Sequence, residues 1–175
     1  AGGGENPVIG FPNSLPALFN TTLISNGNTG NGSLAVFERY AGGVIANSIL
    51  MNDPNGIKLE VTSGQHDSFS QWKNGKLDIR NNLFYLVGEE NEESIFKLTG
   101  VFTQEMENEW AAWFLQAGNE TGNPGIDPES GNYVPNPKIT GNLSGYPNSW
   151  FQQVDFKGAF GEDNWIEGWT LLSQQ

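Results

Sequence analysis

Three stretches of this chain align without a gap: Phe19-Asn20-Thr21-Thr22-Leu23-Ile24, Ile45-Ala46-Asn47-Ser48-Ile49-Leu50 and Ile79-Arg80-Asn81-Asn82-Leu83-Phe84. A fourth, Phe156-Lys157-Gly158-Ala159-Phe160, fits the first five positions. Each reads apolar, variable, turn-former, small or polar, apolar. The third position holds Thr21, Asn47, Asn81 and Gly158, and Asn and Gly are the types that best tolerate a left-handed backbone. One left-handed residue between two short strands bends the chain sharply while the apolar side chains on both sides still point inward. Thr21 is the exception to that chemistry. The spacings of 26, 34 and 77 residues exclude a strict short-period repeat and suit a coil whose turns carry loops of unequal length.

Second strands are expected after each bend, at Leu34-Ala35-Val36-Phe37, Ile57-Lys58-Leu59-Glu60-Val61 and Ile95-Phe96-Lys97-Leu98, each bounded by Gly or Asn. The pattern predicts an all-β fold, a short right-handed parallel β-helix of about four rungs filling residues 1–175 as one domain. A β-sandwich of short strands is the alternative, and it would show hairpins rather than a recurring bend. One amphipathic helix is expected over 103–117, with Thr103 as N-cap, early glutamates, a Met106/Trp110/Trp113/Phe114 stripe and Gly118 at its end. A shorter helical turn is expected from Asp67 to Lys73. Residues 119–150 read as a long loop, and 151–175 as the last rung with an aromatic cap.

Composition narrows the class. The 175 residues carry 8 Lys and Arg against 20 Asp and Glu, a net charge of −12, so approach to nucleic acid or anionic lipid is disfavoured. Cysteine is absent and His66 stands alone, which removes thiol chemistry, thiolate zinc sites and multi-histidine metal sites. No apolar run approaches the ~20 residues of a membrane span. Turn-formers abound, with 23 Gly, 9 Pro and 21 Asn, yet 12% of residues are aromatic, too many for a disordered acidic chain. The profile is that of a turn-rich extracellular domain, secreted or on the outer cell surface. Starting at Ala1 without a visible leader, the chain reads as a processed product or an excised fragment.

The bend signature resembles a known family in combination with two other runs. These are Phe69…Trp72-x-x-Gly75-x-Leu77-x-Ile79 and the ending from Gly158-Ala159-Phe160-Gly161-Glu162-Asp163-Asn164 through Trp165-Ile166-Glu167-Gly168-Trp169-Thr170. Together they are similar to the C-terminal part of large secreted right-handed β-helix proteins of Bacteroidetes, most of which have no assigned activity. The resemblance covers most of the chain and is specific in its last stretch. It implies further rungs upstream, and hence an open first rung here unless Ala1 to Pro16 covers it. End-to-end association through that rung is the corresponding expectation.

Four charged residues are the candidates for catalysis. Asp78-Ile79-Arg80 matches Asp155-Phe156-Lys157, placing two acids and two bases on neighbouring ladders. Polysaccharide lyases of such architecture hold Ca²⁺ with outward acids and use Arg or Lys as the base. One acid alternating with one base per rung more naturally makes cross-rung ion pairs, each contributing about 0–1 kcal/mol when exposed. The run Glu89-Glu90-Asn91-Glu92-Glu93 reads as a solvated loop. Asp53-Pro54-Asn55-Gly56 reads as a turn, as does Asp127 to Asn132, although Asp127, Glu129 and Asn132 form the best available site for a structural Ca²⁺. No other cofactor is implied. His66 precedes Asp67-Ser68 but no nucleophile elbow exists, so it is expected at the surface.

Aromatics supply the other candidates. Trp150, Trp165 and Trp169, with Phe151, fall in the last 26 residues. They would either stack on the CH faces of a sugar or cover the apolar cross-section of the last rung. Trp110 and Trp113 belong to the core. Asn-x-Ser/Thr sequons at Asn20, Asn31, Asn119 and Asn142 matter only in a eukaryotic secretory pathway.

The leading functional expectation is a non-enzymatic scaffold or adhesive module of a secreted or cell-surface protein. Its partner would be a polysaccharide or another surface protein. A Ca²⁺-dependent lyase-like enzyme and a glycan-binding module are the rivals.

Overall fold

Short strands punctuated by left-handed residues build the molecule, and the computed structural model describes residues 13–27, 30, 32–64, 66–141, 146 and 148–168. The strands are β1 (Ala17–Phe19), β2 (Thr22–Ile24), β3 (Ala35–Phe37), β4 (Gly43–Ala46), β5 (Ile49–Asp53), β6 (Ile57–Val61), β7 (Leu77–Arg80), β8 (Leu83–Val87), β9 (Phe96–Gly100) and β10 (Glu120–Thr121). Helices α1 (Ser68–Lys73), α2 (Glu92–Ile95) and α3 (Gln104–Gln116) fall between them.

Every pairing between these strands is parallel, and all skip two strands in sequence except β8 with β10, which skips one. The first sheet is β1-β4-β7, the second β2-β5-β8-β10 and the third β3-β6-β9. The chain thus passes first, second, third sheet in rotation, three times over. This overturns the expected all-β, right-handed parallel β-helix: the strands form three separate parallel sheets and three helices are built in, so the fold is α/β. The physical reason lies in helix starts written into the connections. Asp67 accepts from Ser70 N, Asn91 forms a reciprocal capping box with Ser94, and Thr103 accepts from Met106 N. The acidic run expected as a solvated loop therefore holds the N-cap and first residues of α2.

The bend lies between the first and second sheets. Asn20, Asn47 and Asn81 have φ of 51°, 53° and 53°, and Gly118 has 71°. Parallel register aligns Phe19 with Ala46 and Thr22 with Ile49, so the first corner is Asn20 and not Thr21. The fourth is Gly118 and not Gly158: Asn81 N donates to Ala117 O, and β10 follows in register with β8. The segment Phe156–Phe160 is no fourth rung. It crosses outside the corners, where Asn20 and Asn47 both donate their Nδ2 to Phe156 O at 2.8 Å.

Inside each corner sits a polar residue, and these stack. Ser48 Oγ accepts from Thr21 N, Asn82 Oδ1 accepts from Ser48 N at 2.9 Å, and Asn119 Oδ1 accepts from Asn82 N at 3.0 Å. The amides finish the network, with Asn82 Nδ2 on Ile45 O and Asn119 Nδ2 on Ile79 O. Ser48 and Asn82 are fully buried, and the ladder pairs backbone groups that the bend removes from the sheets.

Apolar side chains on the inner faces meet in one core. Ile45 is paired with Ile79, Leu50 with Phe84, and Leu59 with Leu98. The second sheet is also covered outside, where Ile49, Met51 and Leu83 pack with Ile126 and Ile139 of the long loop. That double burial explains the unbroken apolar run at the start of β5.

One strand position is strained. Leu86, in β8, has φ 52° although half of it is exposed, and a β-carbon there costs about 1–2 kcal/mol. Asn52 has the same left-handed backbone in β5. Leu86→Asn is expected to raise stability by about 1 kcal/mol, or roughly 2–4 °C in Tm, as read by thermal unfolding.

Candidate functional site

The four charged candidates do not converge. Asp78 and Arg80, two apart on the outer face of β7, pair with each other. Lys157 is buried and its ammonium meets Glu120 of β10 at 2.6 Å, while Asp155 receives Lys138 at 3.1 Å. No hydrogen bond or ion pair joins the two sets among the described residues, so they are not neighbouring ladders. Lyase chemistry needs acids around one ion with a base beside them; here each base is taken by a separate carboxylate. The hydrogen bond and the charge of Asp155, with a smaller contribution from Glu162, hold Lys138 above the ordinary lysine value.

The loop proposed for Ca²⁺ is held by its own turn chemistry. Asp127 and Asn132 exchange backbone hydrogen bonds at 2.9 Å, Asn132 Oδ1 accepts from Val134 N, and Pro128–Ser130 forms a single 3₁₀ turn containing Glu129. Among the described residues no three His, Asp or Glu side chains gather as a metal site. Asp53 Oδ1 caps Asn55 N and Gly56 N at the entry to β6. His66 is exposed and its ring lies edge-on to Tyr40.

The tryptophans divide between the core and the surface. The apolar end of the stack is closed by α3, whose Trp110 is fully buried, stacks on Phe96 at 4.5 Å and meets Trp72 edge-on at 5.0 Å. Phe114 packs on Phe84 and Phe96. The aromatic C-terminal cap is thereby corrected: Trp150 is 82% exposed and Trp165 54% exposed. Trp169 lies outside the described residues, as do residues 1–12, so the covering of the first rung does too.

Trp150 is nonetheless held. Its ring stands edge-on to Phe151 at 5.1 Å, Phe151 stacks on Tyr146 at 5.8 Å, and both contact Phe19 of β1. Tyr146 Oη donates to Asn20 Oδ1 at 2.9 Å, tying the cluster to the first corner. Trp165 stacks on Phe160 at 5.5 Å and donates Nε1 to Ala159 O, beside an apolar cleft that also takes in Tyr133 and Ile24.

A second cleft, of about 520 Å³, opens between α1, β7 and α3 and is lined by Trp72, Lys73, Asp78, Glu109, Trp113 and Gln116 among others. Of these only Asp78 was singled out from the sequence as a surface candidate. Trp113 reads as core from its helical spacing, and nothing local announces that α1 would stand opposite it.

No family model matches the chain, and no curated protein or solved structure matches it. Among the described residues no helix is long and apolar enough to cross a membrane.

Proposed function

We propose that this chain is a non-enzymatic adhesive module, carried on or released from a cell surface, that grips polysaccharide through an exposed aromatic patch. The observation that carries the reading is Trp150, 82% exposed, with its ring edge-on to Phe151, which is itself packed on Tyr146 and Phe19. Tryptophan normally hides most of its surface. A ring left in water against a packed aromatic neighbour presents an open face, and any restraint from that neighbour reduces the entropy lost on binding. The CH face of a pyranose stacks on such a ring without requiring any charge, which suits a chain of net charge −12. Dispersed, individually paired Asp78, Arg80, Asp155 and Lys157 favour binding over turnover.

The test is retention on immobilised polysaccharides with Trp150→Ala beside the unmodified chain. The variant is expected to lose binding by at least about tenfold while its Tm stays within the range of a surface change, about ±0.5 kcal/mol in stability. Undiminished retention of the variant would remove the proposal.

A further inference from the structure

The inner face of the first sheet loses its cover toward one end. Leu18 of β1, Ile45 of β4 and Ile79 of β7 are register partners, so their side chains form one column on one face. Ile45 and Ile79 belong to the core, at 3% and 0% exposure, whereas Leu18 is 39% exposed. Leu15, just ahead of β1, is 54% exposed. In the second sheet Leu23 lies in register with buried Leu50 and Phe84 and is itself only partly buried. Among the described residues β1, β2 and β3 are end strands of their three sheets. The exposed leucines therefore lie where the apolar interior reaches the first circuit.

That end coincides with the longest uncharged stretch of the chain. Residues 6–37 hold no Asp, Glu, Lys, Arg or His, 32 positions in a row, in a chain that is 16% charged. Exposed sheet ends ordinarily carry charged side chains, which prevent pairing with other molecules; β1, β2 and β3 carry none. Two copies of a chain with net charge −12 repel each other over most of their surface. The uncharged end is where they can meet without setting like charges together. A basic partner would find no carboxylate on these strands to pair with, which leaves a neutral, apolar surface as the match. The opposite end of the stack does not offer one, because α3 lies across it with Trp110 and Phe114 buried against Phe84 and Phe96. Head-to-tail stacking is thereby blocked, and only like ends can face each other.

We infer that this chain pairs with a second copy of itself, first circuit against first circuit, through Leu15, Leu18 and Leu23. The same surface serves both partners, so the contact closes as a two-fold dimer and does not propagate into a fibre. The inference does not rest on the role given to Trp150, and the failure of either leaves the other standing.

The test is sedimentation equilibrium of the full chain from low micromolar to submillimolar concentration. The mass is expected to rise from 19.1 kDa to twice that value and to stop there. Leu18→Lys sets two ammonium groups against each other across the joint, one from each copy, and is expected to raise the dissociation constant by at least about tenfold. Lysine at a position already 39% exposed runs its charged head out to water along its stem, so the far-ultraviolet dichroism of the variant is expected to match the unmodified chain. Leu15→Lys, outside any strand and more exposed, gives the same reading should Leu18→Lys not fold. Leu115→Lys, 62% exposed on α3, is expected to leave the dimer unchanged. A chain that stays at monomer mass at every concentration overturns the inference. So does a mass that climbs past the dimer, a dimer indifferent to both Leu18→Lys and Leu15→Lys, or one dissociated as readily by Leu115→Lys.

Discussion

Asn82→Ala is expected to destabilise the protein by about 2–4 kcal/mol, because the side chain serves three buried partners at once. Its Oδ1 receives Ser48 N, and its Nδ2 is shared between Ile45 O and Asn119 Oδ1. Alanine leaves the Ser48 amide with no acceptor in a place that water does not reach, and opens a small cavity beside it. In a chain of this size the loss corresponds to roughly 5–15 °C in Tm, measured by the far-ultraviolet circular dichroism melt. Asn81→Ala, one position earlier, probes a different cost. Its φ of 53° makes alanine a strained occupant, by about 1 kcal/mol, and the inner ladder is untouched. The larger loss at position 82 is the signature of a polar ladder carrying the corner; equal losses would show that backbone conformation alone does so.

That contrast also locates what was legible in the chain. The left-handed corners at Asn47 and Asn81 could be read because their chemistry is local: an Asn with an apolar residue two positions away on each side. The register of the first corner could not, since Asn20-Thr21-Thr22 offers two alignments and only the pairing of Thr22 with Ile49 selects one. Gly118 was read as a helix end, which it is, and so its second role as the fourth corner was hidden. Gly158 imitates the corner pattern without being one. Its β-carbon position faces Ile49 and Thr22, showing that a glycine can be required by close packing as well as by φ, two causes that one sequence cannot separate.

The same limit governs the sites. Pairing Asp78-Ile79-Arg80 with Asp155-Phe156-Lys157 assumed equivalent rungs; once the second segment crosses outside the corners, the equivalence has no geometric content. Lys157 then finds Glu120 through a contact between residues 37 apart. Trp113 and Asp78 line one cleft only through the order of circuits and not through any motif.

Trp110→Ala should produce the largest loss of all, about 3–5 kcal/mol, because the helix cap depends on it. This indole is fully buried, lies flat on Phe96 and edge-on to Trp72, and carries α3 over the ends of the second and third sheets. Removing it leaves a cavity bordered by Phe84, Phe96 and Phe114, which are already packed on one another and have little freedom to collapse into the space. Thermal unfolding should show a fall in Tm of roughly 10 °C or more, accompanied by loss of near-ultraviolet dichroism from the aromatic cluster. Trp150→Ala, at the other extreme of exposure, should leave both signals close to their starting values. The pair of measurements separates two ways of ending a stack of parallel strands: a helix laid across the core, or a terminal aromatic segment folded back over it. If Trp150→Ala proved the more damaging, the segment around residue 150 and not α3 would be what keeps the interior closed, and its exposed ring would lose its standing as a binding surface.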